Sequence, residues 1–354
     1  MHPYENLPPE AFWRSAIATK NPLNITGLWQ PKFTFKPEDN VVTVGSCFAQ
    51  HIGKAMVRRG YNWLDAEPAP AKTDPELKKK FNYGIFSFRT GNIYTTELLL
   101  QWCQWAFGEV KVPNEVWTNP EGRFIDPMRP NIEPNGFANL DEMEMSREAT
   151  LEAIRRGVKK AKVFVFTLGL TEAWRNIEHG YFYPMCPGTL HGDFSSEKHE
   201  FINLRYPQIK QPLMQAIRLL RSVNPDLKFI LTVSPVPLTA TASGKHVLTA
   251  TTHSKSLLRA VAGDIADEQA DVDYFPSYEI ITGFPFRGMF FEPNMRSVSD
   301  KGVEFVMASF FEALEKGRNK RPKPASAKKS NLKETSFEKS DEVVCEEELL
   351  DAFS

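Results

Sequence analysis

The sequence predicts an α/β protein: a doubly wound, mainly parallel sheet of five strands in a three-layer α/β/α arrangement, interrupted by long loop insertions. Two observations lead there. Runs that are apolar at successive positions, such as Lys162-Val163-Phe164-Val165-Phe166-Thr167-Leu168-Gly169, suit strands covered on both faces. Between such runs lie segments of helical length with apolar residues at three- and four-residue spacing, and this alternation favours parallel strands joined by right-handed crossovers. In sheets of this kind the ligand site lies beyond the carboxyl ends of the strands. The polar residues that follow strands, namely Ser46, Thr171, Glu172, Ser234, Tyr278 and Glu279, are therefore the first candidates for chemistry.

Taken in order, residues 1–40 are rich in proline and aromatics and predict an arm lying on the main domain. Val41-Val42-Thr43-Val44 is a β-branched run ending at Gly45, a buried strand. Phe48, Ile52, Ala55 and Met56 then recur at helical spacing up to Gly60. Residues 61–144 read as loop and short helix, with the best helix at 95–107. A charged amphipathic helix is expected over 146–160, with Ser146 as its N-cap. After the 162–169 strand comes a long loop, 174–206, then a helix over 208–223, a strand over 227–233, a helix over 250–268, a short strand over 272–275 and a last helix over 299–316. The main domain is thus bounded at 41–317. Residues 318–354 are basic first and acidic later, too poor in apolar residues to fold alone, and read as a disordered tail. Its end, Glu346-Glu347-Glu348-Leu349-Leu350-Asp351-Ala352-Phe353, is amphipathic enough to dock on a protein partner.

Composition narrows the function classes. Lys and Arg number 43 against 44 Asp and Glu, so there is no general electrostatic drive toward nucleic acid or anionic lipid. The four cysteines, Cys47, Cys103, Cys186 and Cys345, make no C-x-x-C pair and no disulfide framework, which argues against a zinc site and for a reducing compartment. The N-terminus has no unbroken apolar run and no stretch has the ~20 apolar residues of a membrane span. The expectation is a soluble, cytoplasmic protein. No Gly-x-Gly-x-x-Gly, P-loop, H-E-x-x-H or EF-hand pattern is present, so no cofactor and no metal is expected.

The chemistry concentrates at Gly45-Ser46-Cys47-Phe48-Ala49, a strand-to-helix turn. Ser46 there has two uses. It can cap the helix, its hydroxyl accepting a backbone N–H. It can instead attack an acyl carbon while nearby N–H groups and the helix N-terminus stabilise the oxyanion. Cys47 is a rival nucleophile under the same dipole.

Four motifs in order carry a resemblance: GSCFA at 45–49, Phe164-Val165-Phe166-Thr167-Leu168-Gly169-Leu170-Thr171-Glu172, Leu231-Thr232-Val233-Ser234-Pro235-Val236-Pro237-Leu238, and Tyr274-Phe275-Pro276-Ser277-Tyr278-Glu279. Together, over residues 20–315, the chain resembles the GSCFA-domain family, placed among SGNH/GDSL-type hydrolases and similar to some bacterial polysaccharide-modifying proteins. The resemblance implies an SGNH/flavodoxin-like fold with Ser46 at the nucleophile position. It further implies an oxyanion hole from the N–H groups of Ser46 and Gly84, with Thr171 standing where the superfamily has an asparagine. The chain departs from the superfamily at its Asp-x-x-His block, where Asn294 and Ser297 stand. An asparagine cannot charge-stabilise an imidazolium as a carboxylate does.

Another base is therefore needed. Of seven histidines, His2, His179 and His199 read as solvated, His51 as a surface residue of the first helix, and His253 as a cap or exposed. His191 and His246 fall in loops at the carboxyl edge of the sheet. His246 is preferred because its loop is short, with Glu279 or Glu172 to orient it. Arg89, Arg296, Asn294 and His191 are candidates to touch substrate, although an ordinary ion pair outweighs that role for each arginine. The expected function is a serine-dependent acyl ester hydrolase or O-acyltransferase acting on a glycan or polysaccharide precursor. The alternative is an SGNH-fold binding protein for a glycan or a protein partner.

Overall fold

The computed structural model describes residues 2–319 and 345–353. The strands are β1 (Val41–Gly45), β2 (Trp117–Thr118), β3 (Phe124–Ile125), β4 (Val163–Leu168), β5 (Glu172–Asn176), β6 (Phe182–Tyr183), β7 (His199–Asn203), β8 (Lys228–Val233) and β9 (Val272–Tyr274). The helices are α1 (Ala49–Arg58), α2 (Pro75–Lys80), α3 (Thr96–Ala106), α4 (Leu140–Lys160), α5 (Tyr206–Val223), α6 (Val247–Glu268), α7 (Ser277–Thr282) and α8 (Asp300–Asn319).

The central sheet has four parallel strands in the order β1-β4-β8-β9, not the five expected. On the outer side of β1, where a further strand would lie, there is one parallel bridge between Val41 and Trp63. Val41 N donates to Asn62 O at 3.0 Å and Leu64 N to Val41 O at 2.8 Å, after which the chain leaves the ladder. Leu64-Asp65-Ala66-Glu67-Pro68 holds no β-branched run, and Pro68 has no N–H to donate.

The strands bury both of their faces, as runs without polar alternation require. Phe164, Phe166 and Leu168 of β4 pack with Ile154 and Val158 of α4, Leu213 and Ile217 of α5, and Leu258 and Ile265 of α6. Val163 and Val165 pack on the other face with Ile52 and Met56 of α1 and Phe310 and Phe311 of α8. Ile25, Trp29, Phe33 and Phe35, from the proline-rich start of the chain, are buried in this second cluster, with Trp29 stacked 5.0 Å from Phe310.

Several elements differ from the sequence reading. Ser146 does not cap α4. The helix starts six residues earlier at Leu140, where Asn139 accepts the Glu142 N–H at 2.8 Å. The 174–206 stretch is not a loop but a three-stranded antiparallel sheet, β6-β5-β7, whose short polar strands show no period of two strong enough to be seen without their partners. Residues 320–344 of the expected tail lie outside the described residues. Glu346–Phe353, however, forms a 3-10 helix seated on the main domain, so the expectation of a disordered tail does not hold for this segment.

The insertion between α1 and β4 is tied down by a buried charge cluster. Asp126 accepts Arg129 Nε at 2.8 Å, Arg147 Nη2 at 2.6 Å and the Met128 N–H at 3.0 Å, all with little solvent access. Burial alone would raise the Asp126 carboxyl, but the two guanidiniums outweigh it and hold it below its ordinary value. Removing the carboxylate leaves two buried cations without a counter-charge. Asp126→Ala is expected to cost about 3–5 kcal/mol in urea unfolding, as breaking a buried pair does.

Candidate active site

The end of β1 is set by a close approach. Gly45 has φ +133°, and a Cβ there would stand 2.4 Å from Thr167 O of β4. Only glycine tolerates both the dihedral and the distance. The turn that follows is fixed by Ser46 N donating to Thr167 O at 3.0 Å. Ser46 is 1% exposed, and its hydroxyl has no hydrogen-bond partner among the described residues. It does not cap α1, which begins three residues later behind Phe48 with no side-chain cap. A buried unpartnered hydroxyl is costly, and Ser46 carries this cost at the point where the topology favours a ligand.

Two backbone segments flank Ser46. In the first, Ile93 N donates to Gly45 O at 2.8 Å, placing Gly91-Asn92-Ile93-Tyr94 beside the strand end. In the second, the β4–β5 turn, Gly169 N donates to Tyr94 O at 2.9 Å, and a Cβ on Gly169 would lie 3.1 Å from Ser46 Cβ. Helix α6 clamps this turn from behind. Ser254 Oγ accepts the Thr171 N–H at 3.0 Å, and Lys255 Nζ donates to Gly169 O at 2.5 Å. Lys255 is 2% exposed, and burial pushes its ammonium down to about 8 despite the opposing charge of Glu347.

The expected catalytic set is not assembled around Ser46. His246 is exposed and caps α6, its Nδ1 accepting the Leu248 N–H at 3.1 Å; a ring in that role satisfies the helix terminus. Glu279 accepts from Arg259 Nε and, at 2.8 Å, from Tyr274 OH, while Glu172 accepts from Thr241 Oγ1 and the Ala242 N–H. Neither carboxylate orients a histidine.

The expected oxyanion donors are also engaged elsewhere. The Ser46 N–H is taken by Thr167, and the Thr171 N–H by Ser254. The Thr171 hydroxyl donates to Asn203 Oδ1 at 2.7 Å, and Gly84 lies exposed in a turn with open space around it.

Arg89 is a buried structural cation. It pairs with Glu67 and Glu133, donates to Phe81 O and stacks 3.9 Å over Tyr83. Asn294 accepts the N–H groups of Arg296 and Ser297 and closes its own turn. His191 sits part-buried in the loop after β6, its carbonyl accepting the Gly188 N–H. Two other histidines depart from the surface role expected of them. His51 is packed 5.3 Å from Phe48 and pushed down to about 4 by burial. His199 lies on β7 with its ring edge-on to Tyr183. Cys47 is no rival nucleophile, since a hydrogen bond to Cys345, together with burial, pushes its thiol well above the ordinary value.

Of the groups that do converge here, Asn92, Tyr94 and Lys255 were not singled out from sequence, and the C-terminal segment was expected to dock on a partner rather than on this domain. The Glu346 carboxylate is received by the Asn92 amide side chain, the Asn92 N–H and, at 3.1 Å, the Tyr94 hydroxyl. Glu347 accepts the Thr239 N–H at 3.3 Å and faces Arg296 at 3.7 Å, and Glu348 accepts from Arg296 Nη1 at 3.2 Å. A cavity of about 670 Å³ opens beside this segment, with Tyr94, Trp174, Phe194 and Leu350 among its lining. A larger hollow of about 990 Å³ lies against α3 and β6, and none of the residues around Ser46 lines it. The one sequence signal for Lys255 was a lysine on the apolar side of a helix, between Thr251 and Leu258.

A family model described as the GSCFA family matches residues 40–310. No curated protein matches the chain. Among solved structures, an acetyl esterase mutant with an acetate ion is similar at 15% identity over 63% of this chain and 92% of its own, with a TM-score of 0.26, too low to carry an argument about activity.

The buried ammonium has a consequence for stability. Between about pH 8 and the unfolded lysine range near 10.4 the unfolded chain holds a proton at Lys255 that the folded chain does not, so stability rises with pH across that window. Lys255→Met should remove a rise of about 2–3 kcal/mol between pH 8 and 10, read by urea unfolding of both proteins at the two pH values.

Proposed function

The chain belongs to the GSCFA family, and on that premise we propose that it is a serine-dependent acyl ester hydrolase or O-acyltransferase with Ser46 as nucleophile. The observation that carries this reading is the Ser46 hydroxyl itself: held at the carboxyl end of β1, out of any capping bond and without a partner. The parallel sheet supports it, because Ser46 follows the carboxyl end of β1, where ligand sites of such sheets lie.

In the proposed reaction Ser46 Oγ attacks the acyl carbon of an ester, the Oγ–C bond forms, and the alcohol leaves with a proton. Water or an acceptor hydroxyl then takes the acyl group and frees the serine. Lys255 is the proposed base. A lysine lowered toward neutrality by burial holds a useful neutral fraction, and its Nζ already reaches the carbonyl of the glycine packed on Ser46. Asn92, through its N–H and side-chain amide, and the Tyr94 hydroxyl are the proposed oxyanion donors, replacing Gly84 and Thr171. Trp174 and Phe194 on the cavity wall offer faces for a sugar ring, which supports a glycan-borne ester.

A second reading, a binding protein for a glycan or protein partner, draws on Asn294 and Ser297. They are bonded to each other at 3.0 Å and bring neither a carboxylate nor an imidazole to the site.

Incubation with a p-nitrophenyl acetate series and a fluorophosphonate probe separates the two. The enzyme reading expects Ser46 to be labelled, Ser46→Ala to lose on the order of 10³-fold in kcat/KM, and Lys255→Ala to lose a comparable factor. The rate should rise with pH and level off above about 8 as the ammonium loses its proton. Turnover unchanged in Ser46→Ala, or no labelling at any pH in either the full chain or a chain ended after Val344, leaves the binding reading.

A further inference from the structure

The C-terminal segment is held in the cleft by its charges rather than its apolar surface. Phe353 is 70% exposed and Leu349 37%, whereas the Glu346 side chain is buried among the Asn92 and Tyr94 donors and Glu347 is nearly buried at Arg296. The Arg296–Glu348 pair is half in solvent, the kind of contact that holds weakly. A segment meant only to complete a core would reverse that pattern.

Two further contacts and one electrostatic interaction place it over the Ser46 turn. Tyr94, whose hydroxyl receives Glu346 and lies 3.9 Å from Cys345 Sγ, also accepts the Gly169 N–H next to Ser46. The Cys345 thiol hydrogen-bonds that of Cys47, the residue adjoining Ser46 in the chain. Lys255, beneath the turn, feels the charge of Glu347.

We infer that residues 345–353 are an intramolecular plug: the Glu346 carboxylate occupies the donor cradle meant for an acyl oxygen, and the segment must leave before a substrate can reach Ser46. The assignment of the cradle rests on the hydrolase reading above; the occupation of the cleft does not. The plug belongs to the same chain as the cleft, so it competes with any free ligand as an intramolecular one. A competing substrate or effector must itself present a carbonyl or carboxylate oxygen to Asn92 and Tyr94. An acidic peptide or an anionic glycan ester matches the Arg296 side of the cleft as well.

The test compares the full chain with a chain ended after Val344 and, as a second variant that keeps the full length, Glu346→Ala/Glu347→Ala. Circular dichroism and urea unfolding establish that each is folded. Cys47, 5% exposed beneath the segment, reports access without any catalysis. Its alkylation by iodoacetamide, read by peptide mass spectrometry, should be at least tenfold faster in both variants. A synthetic peptide of residues 345–354 with Cys345→Ser should slow it again in the shortened chain. Fluorophosphonate labelling of Ser46 should accelerate in parallel.

Equal Cys47 alkylation in folded full-length and altered chains overturns the plug, as does Ser46 labelling at one measurable rate in all three. If Cys47 opens and is protected again by the peptide while Ser46 is labelled in none, the plug stands and the hydrolase reading falls. If Ser46 is labelled alike in every chain, the hydrolase reading stands and the plug falls.

Discussion

The site depends on one contact, the approach of Gly45 to Thr167. With a Cβ at 2.4 Å from the Thr167 carbonyl oxygen, no other residue can end β1 and still pair with β4 in this register. That pairing brings the Ser46 N–H onto Thr167 O and turns the chain into α1 before the hydroxyl can cap it. The 91–94 segment and the β4–β5 turn then close against the same point through Ile93, Tyr94 and Gly169. The unpartnered Ser46 hydroxyl results from this geometry: the backbone takes the nearby donors and acceptors for itself.

Around that contact the protein balances buried charge against buried polar backbone. Lys255 and Ser254 arrive on one turn of α6 and hold Gly169 O and the Thr171 N–H, so a helix fixes a loop that no strand pairing reaches. Burial lowers the ammonium to about 8, and the carbonyl of Gly169, in the turn packed on Ser46, receives it. Farther out, Asp126 with Arg129 and Arg147, and Arg89 with Glu67 and Glu133, organise the insertion by fully paired ions. These pairs are closed on themselves. The acidic C-terminal segment instead meets its partners beside a cavity, with Glu346 received by Asn92 and Tyr94 and Glu347 facing Arg296.

Much of the fold was legible in local patterns. The four strands of the central sheet stand out because each is apolar on both faces, and α5, α6 and α8 because their apolar residues recur at helical spacing. What failed were features defined by partners. Five strands were expected and four pair among the described residues; beyond β1 there is one bridge, Val41–Trp63, after which the chain turns to Asp, Glu and Pro. β5 to β7 were hidden because short polar strands are recognisable only once paired. The start of α4 was misplaced because Ser146 and Asn139 are both competent caps, and the extra turns after Asn139 carry Met143 to its buried place against Ile132 and Phe137.

The site divided in the same way. The sequence alone determined that Ser46 follows a strand and precedes a helix, because glycine and the β-branched run make that turn locally. It also marked the family, through four short motifs. Only the tertiary structure decided what surrounds the serine. His246 was drawn into a cap, Glu279 into an ion pair and Glu172 into hydrogen bonds with Thr241 and Ala242, while Lys255, Asn92 and Glu346 converge from helix, insertion and C-terminus. Residue type and local spacing carry no information about such convergence, because the contacts that create it join segments tens to hundreds of residues apart, and it is the packing of the layers that brings them together.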